Sequence, residues 1–289
     1  MNLNYKVKNN NQSINQILQS ELKISSRLLY KLIKKQKILL NNVPCNTNTI
    51  PNKDDIISID FNYPEDNSNI IESKMDLDIK YEDEWLLIVN KPAGIAIHPS
   101  ILHYNDSLCN GIKYYFNTIN LNKKIRPVNR LDRDTSGLVI FAKCEYIQEC
   151  LIKQMQEKSF KKTYLCVCDG IFEKKEDTIN LPIARKPNSI IERYVHPSGQ
   201  NSITHYKVLK EKDNKSVVQC ILETGRTHQI RVHMSYINHP LIGDDLYGNK
   251  SDLIDRQALH CYKLEFIHPI TNKKIKIESD LPEDIKNII

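Results

Sequence analysis

The sequence predicts an α+β protein in two parts: a small basic α/β module, then a larger domain built on a mixed, largely antiparallel sheet. Three observations carry this. After about residue 77, apolar strand-like runs separated by polar breaks dominate the chain. Helical periodicity is confined to a few short stretches among them, which argues for α+β rather than alternating βα units. Positive charge is concentrated at the front: residues 1–60 hold nine Lys or Arg against four acids, a net of +5 out of +6 for the whole chain.

A length of 289 residues suffices for about two domains and at least one sizeable core. A composition of 40% hydrophobic and 26% charged residues is that of an ordinary soluble protein. No apolar run approaches the roughly 20 residues that span a bilayer, so no membrane association is expected. The opening MNLNYKVKNNNQSINQ lacks the apolar core of a signal peptide. The eight cysteines form no CxxC pair and read as free thiols of a reducing cytoplasm. Cys166 and Cys168, two apart in YLCVC, share one strand face and suit a core.

In order along the chain, SINQILQSELKISSRLLYKLIKKQKILLNN reads as two short helices and a strand. In the second helix Leu28, Leu29, Leu32 and Ile33 form an apolar stripe, with Arg27, Lys31, Lys34 and Lys35 on the other side. Ser25 or Ser26 is placed to cap it. ILLNNVPC and DDIISIDF read as β segments. Residues 1–61 thus form a compact basic unit whose helix could lie along phosphates, although a merely solvated face is as good a reading of the charge. Residues 62–76 are polar, without periodicity, and read as a linker to a domain at 77–289. There WLLIVNKPAG, LVIFAK, TYLCVCDGIF, SITHYKVLK and SVVQCILET are strand candidates. The stretches after Ser107, from Tyr146 to Lys158 and from His228 to Ile237 are helix candidates. The last has Thr227 as its expected N-cap and Ile230, Met234 and Ile237 as its buried side.

Two segments are dense in groups that carry chemistry. In RPVNRLDRDTSGLVIFAK (126–143), Asp132 lies between Arg130 and Arg133 just ahead of an apolar run. In ETGRTHQIRVHMSYINHPLIGD, Arg226, His228, Arg231 and His233 crowd one turn and a helix. A zinc site is disfavoured: His228 and His233 are about 140° out of phase on a helix, with no cysteine or acid to complete a ligand set. Phosphate loops of the GxxxxGK or GxGxxG kind and a GxSxG elbow are missing. Arginines beside Asp132 and Asp134 would compete with a metal ion, which argues against a metal-dependent nuclease. Nearby positive charge instead keeps a carboxylate ionised and fixes its position, as a nucleophile or base working on a sugar requires. Such work on a folded RNA needs an extruded base and an aromatic face to hold it, and Tyr164 follows a basic cluster in KSFKKTYLCVC.

These blocks resemble the RluA family of RNA pseudouridine synthases. The match runs through VNKPAGIAIHPS (89–100), RPVNRLDRDTSGLVIFAK (126–143), KKTYLCVCDG (161–170) and LETGRTHQIRVHMSYINHPLIGDDLYG (222–248), with a weaker tail at 258–269. The front of the chain is similar, on softer features, to the S-four type of small RNA-binding domain. The resemblance implies the pseudouridine synthase fold and an isomerisation without cofactor or metal. It implies Asp132 as catalytic aspartate, Tyr164 against the uracil, Arg231 paired with Asp132 in a buried ion pair, and Arg130 supporting the RNA at the flipped nucleotide. It leaves open whether Asp132 adds to the anomeric carbon or removes a sugar proton. Lys91, Pro92 and Gly94 are read as a turn bordering the cleft. Asn129 departs from the family, which usually has histidine there. The expected partner is structured RNA, ribosomal in preference to transfer RNA, acted on by a monomer in the cytoplasm. Arg27, Lys31, Lys34 and Lys35 are its expected further contacts. The alternative is a non-catalytic RNA-binding or ribosome-assembly protein on the same fold.

Overall fold

The computed structural model describes residues 1–9, 11–101 and 103–289. The first 60 residues run β1 (Asn2–Lys6), α1 (Ile14–Ser20), α2 (Ser26–Lys34), β2 (Ile38–Leu40), β3 (Val43–Pro44) and β4 (Ile56–Asp60), with the strands ordered β1-β4-β2-β3. Ser25 caps α2, its Oγ accepting the Leu28 N–H at 3.2 Å. Leu28, Leu29 and Leu32 are buried, but Ile33 is 43% exposed. The stripe is therefore one residue narrower than its spacing suggests: Ile33 lies at the end of α2, which stops at Lys34, and turns outward beside the buried Leu32.

The large domain continues with β5 (Asp78–Glu82), β6 (Leu86–Lys91), α3 (Leu108–Thr118), β7 (Ser136–Ala142), α4 (Glu145–Gln156), β8 (Lys161–Asp169), β9 (Glu176–Asn180) and the short pair β10 (Ile183–Arg185) and β11 (Arg193–Val195). It closes with β12 (Ile203–Lys212), β13 (Lys215–Leu222), α5 (Gln229–Tyr236), β14 (Leu259–Ile267), β15 (Lys274–Glu278) and α6 (Glu283–Lys286). One sheet orders them β5-β6-β7-β14-β8-β13-β12-β9, with β15 on β14. Among the described residues only β7 and β14 pair in parallel, so the sheet is mixed and largely antiparallel. Gly137 makes that parallel contact possible. It has φ +118°, and a Cβ there would lie 2.3 Å from the Cys261 carbonyl oxygen. All seven residues of β7 are buried. The strand that follows the Asp132 loop is thus the central girder of the sheet.

The two parts share a core. Phe61 is fully buried, edge-on to Trp85 at 6.0 Å and stacked on Tyr146 at 5.8 Å. Residues 62–76 hold no helix or strand and lie along the large domain. The Lys123 ammonium donates to the Phe61 and Tyr63 carbonyls, and Lys113 donates to those of Asn67 and Ile70. Glu65 is the pivot. Its side chain is 6% exposed and takes two hydrogen bonds from Arg126, at 2.7 and 2.8 Å, and one from Lys31 at 3.0 Å. Lys31 also reaches Glu145 at 2.9 Å. It is therefore a bridge between the two parts, not the free phosphate contact expected of it. Nothing local to α2 could reveal this, since both acids come from remote segments.

Burial alone would raise the Glu65 pKa; the Arg126 bonds and Lys31 outweigh it and hold the group below the usual carboxylate range. A depressed folded pKa means stability present above the unfolded value and lost as pH falls through the folded one. Glu65→Gln is expected to cost about 3 kcal/mol near neutrality, because Arg126 stays buried with less compensation. The gap to the parent chain should close as pH drops below the carboxylate range. Chemical denaturation across pH measures it; a constant gap would show that Glu65 is not the group responsible.

Candidate active site

Residues 126–135 form a loop pinned from several sides. Val128 N–H donates to Ile140 at 2.8 Å, and the Arg126 carbonyl accepts from Ala142 at 2.9 Å. Asn129 is buried and bridges β7, donating to the Leu138 carbonyl at 3.0 Å and accepting from the Ile140 N–H at 2.9 Å. Where the family usually has histidine, the amide thus performs a backbone-anchoring task. Lys91, wholly buried, donates to the carbonyls of Pro92, Ile95 and Arg133, each at 2.8 Å. Arg256 donates to the Asp134 carbonyl at 3.0 Å. The Lys91-Pro92 turn is therefore an anchor for the loop as well as a border of the cleft.

The loop opens into a cleft of about 720 Å³, within the roughly 300–1,000 Å³ of small-molecule sites. Asp132, Tyr164, Arg231 and Arg130, the four side chains expected at the centre, all line it. Asp132 comes from the loop, Tyr164 from β8, and Arg231 from the first turns of α5. Asp132 keeps 27% of its side-chain surface exposed, so its carboxylate is reachable from the cleft.

The expected Asp132–Arg231 ion pair is present, but it is the longer of two that the arginine makes, and Asp132 is only partly buried. Arg231 Nη1 is 3.6 Å from Asp132 Oδ2, an ionic approach and not a hydrogen bond. Its direct partner is Asp244, which receives Nε at 2.7 Å and Nη2 at 2.8 Å in a bidentate fork. The Asp244 side chain is fully buried and also accepts the Leu246 and Tyr247 N–H groups. The Tyr247 ring lies 5.1 Å from the guanidinium carbon. Burial alone would lower the Arg231 pKa; Asp244 foremost, and Asp132 after it, raise it and keep the guanidinium charged. Of the arginines flanking Asp132, Arg133 turns to Asp134 at 3.0 Å, and Arg130 is exposed at the mouth.

Helix α5 starts one residue later than expected. His228, not Thr227, is its N-cap, in the left-handed region at φ 59°. Gln229 displaces the threonine: its Oε1 accepts from the Arg226 N–H at 3.0 Å and from the Thr224 hydroxyl at 2.8 Å, closing the turn itself. Ile230 and Met234 are buried as expected. Tyr164 is 5% exposed. Burial, then Cys261 and Asp132, push its pKa well above the ordinary phenol value, so it presents a ring and a neutral phenol. The cleft also contains Lys162, whose pKa burial lowers. Lys162, Asp244 and Tyr247 went unassigned from sequence. Asp244 stands in the quoted LIGDD run, but 13 positions from the arginine it holds. Among the described residues no group of three or more His, Cys, Asp or Glu is placed to hold a metal ion, and all eight cysteines are free. Among the described residues no helix is long and apolar enough to cross a membrane.

A second groove of about 620 Å³ runs between α2 and the large domain, lined by Arg27, Tyr30, Lys124 and Gln148 among others. His98 and Pro127 line both it and the cleft, so the two spaces adjoin. Tyr30 is 70% exposed.

A nucleoside-sized cleft with a cation-flanked carboxylate, an aromatic wall and basic groups at its mouth defines an enzyme acting on nucleic acid. The comparisons make the class specific. A family model described as RNA pseudouridylate synthase matches residues 85–236. The chain is 41% identical over 283 residues to the uncharacterized RNA pseudouridine synthase YhcT of Bacillus subtilis (strain 168), covering 97% of this chain and 93% of that one. It is 36% identical over 272 residues to ribosomal large subunit pseudouridine synthase D of Neisseria meningitidis serogroup A (strain Z2491), covering 89% of this chain and 72% of that one. Among solved structures, human RNA pseudouridylate synthase domain containing 1 is similar at a TM-score of 0.60 and 26% identity, covering 73% of this chain and 86% of that one. The protein belongs to the RNA pseudouridine synthase family, in its RluA-type branch, and is an isomerase acting on RNA.

Proposed function

We propose that this chain isomerises uridine to pseudouridine in structured ribosomal RNA. The observation that carries the reading is the convergence of Asp132, Tyr164, Arg231 and Arg130 on one cleft. The ribosomal target is supported by relatives 34–36% identical that are named for the large ribosomal subunit. In the reaction the bond from ribose C1′ to uracil N1 breaks, the base turns, and C1′ bonds to C5. The C5 proton is lost and N1 ends protonated, so the atoms balance without a co-reactant. Asp132 either adds to C1′ or removes a sugar proton to begin this sequence. Tyr164 stacks on the uracil and, as a neutral phenol, relays rather than simply abstracts the C5 proton. Arg130 at the mouth holds the strand from which the nucleotide is flipped. Mapping pseudouridines in ribosomal RNA from cells with and without the gene tests the target. No lost site there, with one lost from transfer RNA, would redirect the proposal.

The basic module supplies affinity in this reading. Arg27 and Lys34 on α2 and Lys35 at its C-cap are exposed, whereas Lys31 is committed to Glu65 and Glu145. Phe61 belongs to the shared core, so point changes test the module better than deletion. Arg27→Gln with Lys34→Gln should weaken RNA binding and flatten log affinity against log salt by roughly 1.4 to 1.8, at about 0.7 to 0.9 per phosphate contact. Turnover at saturating RNA should persist. An unchanged slope would remove these two side chains from the interface.

A further inference from the structure

His228 is held in an arrangement that the reaction so far leaves unused. A left-handed backbone at a position without glycine costs free energy, and Asn, Asp and His are the side chains that tolerate it best. The imidazole is 11% exposed and aimed at the catalytic loop, with Nε2 3.9 Å from Asp132 Oδ2. Its Nδ1 lies 2.8 Å from the Tyr247 hydroxyl. That hydroxyl already accepts the Arg193 N–H at 2.8 Å. The phenol hydrogen must go somewhere, and the imidazole Nδ1 is the acceptor in reach. Tyr247 therefore donates to Nδ1, and the neutral ring carries its hydrogen on Nε2, facing Asp132.

Charge around the ring agrees. Burial lowers the His228 pKa; Asp132 and Asp244 pull it up, and Arg231 and Arg193 push it down. With the N-terminal end of α5 beside it, the ring rests neutral near pH 7. Arg231 Nη1 and His228 Nε2 both approach Oδ2, at 3.6 and 3.9 Å. No hydrogen bond from the described residues reaches Oδ1.

We propose that His228, fixed by Tyr247 as the Nε2–H tautomer, is a positioning residue for Asp132. Together with Arg231 it claims Oδ2 and leaves Oδ1 as the oxygen that reacts with the sugar. The inference rests on Asp132 being the reacting carboxylate. In the resting cleft both separations exceed hydrogen-bond length; closure on the nucleotide shortens them, as site hydrogen bonds commonly tighten in the bound complex.

The test has a part that needs no substrate. Nitrogen-15 spectra of histidine-labelled protein distinguish the two neutral tautomers; His228 should be Nε2–H in the parent chain and mixed in Tyr247→Phe. For turnover, tritium release from uridine labelled at C5 is followed in a ribosomal RNA transcript that the parent enzyme modifies. His228→Asn keeps a side chain at ease in the left-handed region but is too short to reach Oδ2. It should lower kcat about 10- to 100-fold, with RNA affinity little changed. His228→Gln, whose amide N–H can take the place of Nε2–H, should regain most of that loss. In Tyr247→Phe the deficit against the parent should shrink as pH falls through the imidazole pKa, because the imidazolium donates from Nε2 whichever tautomer preceded it. A role in packing alone would give a deficit independent of pH. Normal kcat in His228→Asn, or an Nδ1–H ring in the parent spectrum, overturns the proposal. Turnover surviving in Asp132→Asn would instead overturn the assignment on which it rests.

Discussion

Asp132→Asn is expected to fold normally, bind RNA and form no measurable pseudouridine, a loss of at least about a thousand-fold. The isosteric amide can neither add to the anomeric carbon nor take a proton from the sugar. Folding should be spared because the carboxylate makes no hydrogen bond within the protein through its side chain; its two neighbours stand at 3.6 and 3.9 Å. Arg231 is already compensated by Asp244, so loss of the Asp132 charge strands no buried cation. Stability should shift by less than about 1 kcal/mol. Matched melting curves and RNA affinities, with tritium release absent, would establish the assignment. Turnover near the parent level would transfer the chemistry to another group.

The second large effect belongs to Asp244. Arg231 and Asp244 are 7% and 0% exposed, and their fork is the most deeply buried ion pair of the cleft. Asp244→Asn should cost about 3–5 kcal/mol, since removing one partner leaves the other charge uncompensated. Arg231→Met should cost a similar amount. Because each change strands the same partner, the double variant should be much more stable than the sum of the two, while activity stays lost in all three. A cycle between Arg231 and Asp132 should show a stability coupling below about 1 kcal/mol. The two cycles together locate the arginine's structural partner. A larger coupling to Asp132 than to Asp244 would reverse the geometry described for the cleft floor.

These expectations separate structure from chemistry at one guanidinium. Asp244 holds Arg231 in place; Arg231 then faces the Asp132 carboxylate, the proposed reacting group, with Nη1. Hydrogen bonds that the guanidinium donates to a buried carboxylate orient the cation before substrate arrives, and such preorganisation is what makes a charge useful in a reaction.

Much of this was legible in the residues. Apolar runs of strand length and polar breaks were sufficient for β6, β7, β8, β12 and β13. Period-3.6 spacing and a serine cap were sufficient for α2, and α3 was placed after Ser107. RLDRDTSG and TGRTHQIR identified Asp132 and Arg231, and the basic run before YLCVC pointed to Tyr164; all three line the cleft. Such patterns are local: side-chain period, turn chemistry and motif spacing are written within a few residues of one another. Tertiary structure alone decided the partners. Arg231 binds Asp244 across 13 positions, Lys31 meets Glu65 and Glu145 across 34 and 114, and His228 meets the Tyr247 hydroxyl, 19 residues on. A side chain's charge is known from its identity. Which opposite charge it meets depends on how loops close over the sheet, and burial then makes one contact far stronger than its neighbours. So the sequence by itself determined the fold class and pointed to Asp132, Tyr164 and Arg231, while folding in three dimensions decided which group holds which, because desolvation and distance act through space and not along the chain.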